Sequence, residues 1–432
     1  MYSICTNPVL LTSQKYPYRP RQVIFCCWLV LDSFKYGRVA FDRLPKEGLD
    51  MSFDFKRRLI GLQKKMEQFD LDLVVFGSCQ NFQYLTGLLI DWRHWADLGS
   101  QVNNVFVPRK GEPIVTVGEE WSKQASQGWV KDVRVLGEKD SFEKLIRKVL
   151  SDLNVKSGKV GIGDHVWGST VVELDKALKD PLFLKAEHLL DNVRMIKDAG
   201  EIERLRKVAT LTDKAVEAVV AKIKKGVTQR ELRIEVEYQG KLLGASDVSF
   251  APWVGFVKSG SEKTKDPTGY PVDKGLVPKA SIAFDVGFVL DGYCSDFGRS
   301  LYFGPAEKKV KKGYEALQQS VVETVDKMKA GSMRVCDIFP AIEKTLDRLG
   351  YGKYLRARLP NKSVGHNIGV EVHEPPWLDP ENEELLQANM VMAIEPKLWN
   401  AGEYYFRVED IVLVGSRRTE FLTKFNRELF QL

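Results

Sequence analysis

Four carboxylates stand where an apolar core would exclude them. Asp285 interrupts the apolar segment SIAFDVGFVL, and Asp296 sits on the returning segment YCSDFGRS. Glu395 lies inside VMAIEPKLW and Glu409 inside FRVEDIVLV. A buried carboxylate is costly unless it is paired or bound to a metal ion. One such acid is ordinarily a salt-bridged or edge-strand residue; four in matching places call for a cation. The segment SVGHNIGVEVHEPP adds His366 and His373, two of only five histidines. Two aspartates, two glutamates and one neutral histidine carry −4, which matches two divalent cations. Oxygen-rich ligation with one imidazole suits Mn²⁺, Co²⁺, Fe²⁺ or Zn²⁺ and differs from a thiolate-rich structural zinc site. Two such ions ~3.5–4 Å apart bind and activate a bridging hydroxide, the chemistry of a hydrolase.

The elements around these acids must bring them together. With Asp291-Gly292 as a two-residue turn, position 285 pairs with 298 and 287 with 296. Asp285 and Asp296 then project from one face as diagonal neighbours. Upstream, Ile202, Leu205, Val208 and Leu211 repeat at helical spacing up to Gly226, and Thr228 with Glu231 forms a capping box for the next helix. An irregular Gly/Pro/Lys stretch, Lys258 to Lys274, precedes the hairpin. Two further helices, Ala306 to Lys329 and Val335 to Leu349, lead into strands and loops from Ser363 to Val414. The order helix, helix, hairpin is thus met twice, a weak internal duplication of about a hundred residues per half.

Residues 51 to about 190 read as a small α/β domain. Phe53 to Phe69 is an amphipathic helix with Leu59, Leu62 and Met66 on one stripe, and Leu73 to Phe76 a buried strand. Val102 to Val107 and Pro113 to Val117 flank Lys110-Gly111 as a hairpin. Asp140 to Leu153 and Gly168 to Leu178 are helical, with Lys159 to Ile162 extended between them. No GxGxxG, GKS/GKT or GxSxG string occurs in it, so neither a phosphate cradle nor a nucleophile elbow has support.

Residues 1–50, rich in Tyr, Pro, Arg and Cys, lack amphipathic periodicity. A signal peptide would use Val23 to Leu31 as its core, but no small-x-small cleavage site follows. A genuine extension has no visible task. The favoured reading is a mis-assigned start: Lys46-Glu47-Gly48 can be encoded by AAGGAGGGN, a purine-rich ribosome-binding sequence suitably spaced before Met51.

The ordered set Asp285, Asp296, His366, Glu395 and Glu409, in DVGFVLDGYCSDFGRS, GHNIGVEVHEPP, AIEP and FRVED, resembles the five-ligand signature of the pita-bread (M24-type) metallopeptidases. That family includes methionine aminopeptidase, aminopeptidase P, prolidase and creatinase. HEPP, and the Arg-x-Glu-Asp pattern of Arg407, Glu409 and Asp410, are most similar to the Xaa-Pro dipeptidase and aminopeptidase P branch. VRMIKDAGEIERLRKVA, Val193 to Ala209, looks like that branch's interdomain helix, and NFQYLTG, residues 81–87, like its N-terminal domain.

The resemblance implies a creatinase-type α/β N-terminal domain, 51–190, and an α+β pita-bread catalytic domain, 191–432, with an internal pseudo-two-fold duplication. It implies two divalent ions on the five ligands, Mn²⁺ first, with Co²⁺, Zn²⁺ or Fe²⁺ as alternatives. Glu395 would be both ligand and general base toward the metal-bridging water, His373 would hydrogen-bond the substrate carbonyl or tetrahedral intermediate, and Arg407 would orient groups in the site. A homodimer is implied as well. In this family a neighbouring subunit's N-terminal domain can reach the site, so His94 or Trp95 would line the substrate pocket; the alternative is an ordinary loop position.

There are departures. The branch usually carries a further histidine about 17 residues before the first aspartate; here that count lands on Thr268 in DPTGYP, and no histidine lies between His188 and His366. Thr268 can hydrogen-bond substrate but cannot shuttle protons near neutral pH. Asn367 stands where GHG is expected, and Lys397-Leu398 follow Glu395-Pro396.

Composition sets the remaining bounds. A net charge of +6 spread over 432 residues does not mark a nucleic-acid binder. The cluster Lys308, Lys309, Lys311 and Lys312 fits a solvated helix face. Six cysteines without regular spacing favour a reducing, cytoplasmic compartment. The longest apolar run, Val23 to Leu31, is nine residues, short of the ~20 that cross a bilayer. The leading reading is a dinuclear hydrolase cleaving Xaa-Pro bonds of small peptides. A pita-bread metalloenzyme acting on a C–N or C–S bond of a small non-peptide metabolite, and a non-catalytic interaction module, are the alternatives.

Overall fold

The computed structural model describes residues 53–90, 92–93, 101–267, 269–356, 362–428 and 430–432. The expectations for residues 1–50 and the Met51 start, for His94 and Trp95, and for Thr268 fall outside the described residues.

The first sheet contains β1 (Leu73–Gly77), β2 (Asn104–Pro108), β3 (Ile114–Gly118), β4 (Asp132–Leu136), β5 (Ser157–Ile162) and β6 (Lys179–Lys185), in the order β4-β3-β2-β1-β5-β6. Strands β1 to β3 pair antiparallel and are buried throughout, which is why they read as apolar runs. The edge strands β4 and β6 are half exposed, and sequence patterning missed both. On one side the helix Phe55–Gln68, capped by Asp54, buries Leu59, Leu62 and Met66. Full burial of such a side chain contributes about 1.5–3 kcal/mol.

The second part opens with helices Ala199–Val220 and Gln229–Leu242, each started by a full capping box, Asp198 with Glu201 and Thr228 with Glu231. Gly226 does not end the first helix. That helix stops at Val220, and Gly226, at φ +87°, belongs to the turn before Thr228, its N–H donating to Leu276 O. The strands that follow are β7 (Asp247–Val248), β8 (Trp253–Lys258), β9 (Ala280–Val286), β10 (Phe288–Leu290), β11 (Tyr293–Cys294) and β12 (Phe297–Phe303). Helices Lys308–Lys327 and Ile338–Arg348 then lead to β13 (Gly365–Asn367), β14 (Glu374–Trp377), β15 (Val391–Ile394), β16 (Lys397–Asn400), β17 (Tyr404–Leu413), β18 (Glu420–Phe421) and β19 (Phe430–Gln431). The main sheet runs β14-β13-β15-β17-β12-β9-β8, with β16 and β18 attached to β17 and β19 to β12.

Alternation assigns the two faces of this sheet. Ile282, Phe284 and Val286 on β9, with Phe297 and Leu301 on β12, pack against Val208, Ala215 and Val219 of the first helix. Phe406 and Val408 on β17 do the same with Tyr314, Leu317 and Val321 of the third. Helices therefore cover one face. The intervening residues, among them Asp285, Arg407 and Glu409, turn to the other.

The two parts of the chain meet at a buried arginine. The Arg58 guanidinium donates to Tyr84 O (2.8 Å) and to Asp198 Oδ2 (2.8 Å), and lies 3.4 Å from Glu201 Oε2. Burial pushes the Glu201 carboxyl up to about 7, against the opposing pull of Arg58 and Lys197. Between the ordinary glutamate value of 4.5 and about 7 the native state holds a proton that the unfolded chain has released. Through this group, stability falls as pH rises across that window and is level above it. Glu201→Gln keeps an acceptor for the Asp198 N–H and removes the titration. Relative to the parent, the variant should gain about 3 kcal/mol between pH 4.5 and 7.5, read from urea midpoints. A difference that does not move with pH would refute the assignment.

Candidate metal centre

The hairpin register places the first two acids. Asp285 and Gly298 are paired on β9 and β12, and β10 and β11 continue the same register up to Leu290 opposite Tyr293. Asp291 (φ +50°) and Gly292 (φ +78°) form the turn, a conformation in which both central residues are left-handed. Asp296 therefore falls on the face of Asp285, as the turn predicts. Gly298 is also paired with Glu409 of β17, and a Cβ at Gly298 would come within 2.1 Å of Arg407 Cδ and 2.6 Å of Glu409 Oε2. Its missing side chain is the space these two occupy.

Strand β15 runs antiparallel to β17 with Ile394 opposite Asp410, so Glu395 is carried opposite Glu409. Strand β16 resumes that register with Lys397 opposite Arg407. His366, on β13, pairs with Ala393 of β15. Three groups of ligand atoms result, each within 4.8 Å: Asp285, Asp296 and Glu409; His366, Glu395 and Glu409; and Asp296, His366 and His373. All five acids and histidines of the signature, and His373, are brought to one place.

The site is asymmetric in burial and in partners. Asp296, His366 and Glu409 are buried, whereas Asp285 and Glu395 are partly exposed. Asp296 Oδ1, His366 Nε2 and Glu409 Oε1 are buried without a hydrogen-bond partner among the described residues. His366 Nε2 lies 3.3 Å from Asp296 Oδ2 but outside hydrogen-bond geometry. His366 Nδ1 is 3.0 Å from Asn367 O, which favours the proton on Nδ1 and leaves the Nε2 lone pair facing the acids. Burial first, then the neighbouring Asp285 and Glu395 charges, pushes Asp296 well above the usual carboxylate range; Glu409 is raised by burial and Asp296. Burial acts on Glu395 in the same sense, but Lys397 and Arg407 outweigh it and hold its carboxyl at about 2. Such a cluster cannot be fully ionised without more cations. Three orphaned, inward-facing donor atoms in an oxygen-rich set fit divalent metal ions.

Two protein cations already stand among the acids. Arg407 pairs with Asp285 and with Glu409 Oε2 (2.9 Å) and reaches Glu395 Oε2 at 3.6 Å. Lys397 Nζ pairs with Glu395 Oε2. On the open side, the His373 ring lies 4.4 Å from that of His366 and 5.8 Å from that of Trp377, centre to centre. Burial and the adjacent His366 lower the His373 pKa, so this imidazole is neutral at pH 7. It lines a cleft of about 270 Å³ with Ser249, Cys294, Glu371 and, from the N-terminal part, Trp92 and Arg93.

Sequence reasoning missed the residues that brace the histidine segment. Lys197, fully buried, donates to Arg194 O (2.7 Å) and Glu374 Oε2 (2.8 Å). The Asn367 amide, oriented as its partners require, accepts from Lys197 Nζ at 3.1 Å and donates to Val391 O. The residue after each histidine, Asn367 and Glu374, is thus held by one ammonium on the segment before the helix Ala199–Val220. Behind the site, Asp410 accepts from Arg299 (2.9 Å), Arg427 (2.8 Å) and Thr423 Oγ1 (2.8 Å).

A mixed N-terminal sheet joined to a helix-backed sheet with an acidic, imidazole-bearing open face defines a creatinase-type N-terminal domain and a pita-bread catalytic domain. The sequence profile of the creatinase/prolidase N-terminal domain matches residues 58–196, and that of metallopeptidase family M24 matches residues 203–416. The chain belongs to family M24 and is a hydrolytic metallopeptidase of the dipeptidase/prolidase type. A Bacillus subtilis protein with a provisional dipeptidase name, YkvY, is 30% identical over 355 residues, 82% of this chain and 93% of that one. The solved prolidase of Thermococcus sibiricus superposes with a TM-score of 0.73 at 26% identity, over 88% of this chain and all of its own. The Xaa-Pro dipeptidase of Bacillus anthracis gives 0.75 at 23% identity, over 88% of this chain and all of its own, a likeness of fold. No helix among the described residues is long and apolar enough to cross a membrane.

Proposed function

We propose that the protein is a dinuclear Xaa-Pro peptidase acting on small peptides, with Asp285, Asp296, His366, Glu395 and Glu409 as ligands and Mn²⁺ as the favoured ion. The observation that carries this reading is the set of orphaned atoms of Asp296, His366 and Glu409, facing the remaining acids. When bound, the ions supply Lewis acidity and lower the pKa of water in the site. Glu395 takes the proton of the attacking water and returns it to the leaving nitrogen. His373, neutral and half exposed, donates to the substrate carbonyl oxygen as charge develops there. Arg407 fixes Asp285 and Glu409. In a homodimer, the partner's N-terminal domain would complete the cleft.

The test is the metal-loaded protein with a pool of Xaa-Pro dipeptides and Xaa-Pro-Yaa tripeptides, read by mass spectrometry, with Glu395→Ala as blank. Release of Xaa from dipeptides supports a prolidase; cleavage of tripeptides alone supports an aminopeptidase P. Thr268→His is expected to raise Xaa-Pro cleavage. Silence from protein holding two ions, with no gain from Thr268→His, would favour the second reading, a non-peptide C–N or C–S substrate. The observations behind that reading are Lys397 on Glu395 and, in the sequence, Thr268 at the position where the branch carries a histidine.

A further inference from the structure

The charge balance of the site differs from the one its ligands alone suggest. Four carboxylates carry −4, but Arg407 and Lys397 lie among them and leave −2, the complement of one divalent ion. The two cations are also placed unevenly. Each engages one of the partly exposed acids, Arg407 on Asp285 and Lys397 on Glu395. The ligand atoms without a hydrogen-bond partner among the described residues belong to the buried Asp296, His366 and Glu409. Of the three ligand groups, that of Asp296, His366 and His373 includes no atom paired with Arg407 or Lys397, so one ion can be taken up there without displacing either cation. A second needs the oxygens of Glu395 and Asp285, where Glu395 Oε2 faces Lys397 Nζ on one side and the Arg407 guanidinium on the other.

Of the two cations, Lys397 is the one able to leave. Arg407 is fixed by two carboxylates, and its backbone N–H donates to Ser300 Oγ. Among the described residues Lys397 forms an ion pair with Glu395 alone, on a flexible four-carbon stem at the partly exposed edge of the site. We propose that Lys397 is a built-in competitor for the second metal ion. The protein then takes up one ion tightly and a second far more weakly, because the second must displace the Lys397 ammonium from Glu395. This inference rests on the dinuclear reading above.

Calorimetric titration of the metal-free full chain with Mn²⁺ tests it. The parent should show two separated steps. Lys397→Met, which keeps the stem and removes the charge, should tighten the second step at least about tenfold and leave the first within about threefold. Lys397→Arg should keep the second ion weak. Equal second-step affinities in the parent and Lys397→Met would overturn the proposal, as would a weak second ion in Lys397→Met alone. If neither parent nor variant binds an ion, or if Glu409→Gln leaves binding untouched, the metal-site reading itself falls and the proposal with it.

Discussion

Glu409→Gln should leave the protein folded but unable to hold its full complement of metal ions. Glu409 is fully buried, shares two of the three groups of ligand atoms, and faces the site with Oε1 unpartnered among the described residues. Glutamine fills the same volume and can still accept from Arg407, but it removes one negative charge and aims an amide N–H₂ or a weaker oxygen at the metal. Loss of an outer partner of a metal ligand typically costs 10–100-fold in affinity; on the dinuclear reading proposed above Glu409 is a ligand to both ions, so its loss should cost more than about a hundredfold. Turnover should fall at least about a thousandfold, since positioning and charge stabilisation are lost together. Metal content after gel filtration and peptide cleavage are the measurements. The melting temperature of the metal-free variant should not fall, because the substitution makes neutral a group whose charged form is disfavoured by burial first and then by Asp296. A variant that retains both ions and full turnover would remove Glu409 from the site.

The acids were legible because local rules fixed them. A two-residue Asp-Gly turn sets a hairpin's register, register sets the face, and the face puts Asp285 beside Asp296. Glu395 and Glu409 announced themselves as charges within apolar runs, and β15 on β17 makes them cross-strand neighbours. The braces had no such signal. Lys197 and Glu374 meet across 177 residues, Arg299 and Asp410 across 111, and no local period joins either pair. Nor could Lys397 be aimed from sequence alone. It follows Glu395-Pro396 as an unexplained lysine until β16 takes up the register that sets it opposite Arg407. Strands β4 and β6 were silent for another reason: as edges of their sheet they are partly solvated, and neither shows a clean apolar alternation.

Asp410 allows the supporting framework to be separated from the chemistry. It adjoins Glu409 in sequence, but alternation along β17 turns it to the helix-covered face, where Arg299 and Arg427 converge on it. Arg299 is fully buried, and its side chain is paired with Asp410 alone among the described acids. Asp410→Asn would leave that guanidinium in the interior without its counter-charge. Breaking a buried ion pair from one side costs about 3–5 kcal/mol, and a loss of that size is expected from urea denaturation followed by tryptophan fluorescence. Replacing both partners, Asp410→Leu with Arg299→Leu, should recover much of it, because two apolar side chains carry no desolvation cost and Arg427, partly exposed, can turn toward water. Folded Asp410→Asn protein should still take up metal ions, since Asp410 supplies no atom to any of the three ligand groups. A loss below 1 kcal/mol would mean that the Arg299–Asp410 pair does not hold β12 to β17, and a loss of metal without a loss of stability would place Asp410 in the site instead of behind it.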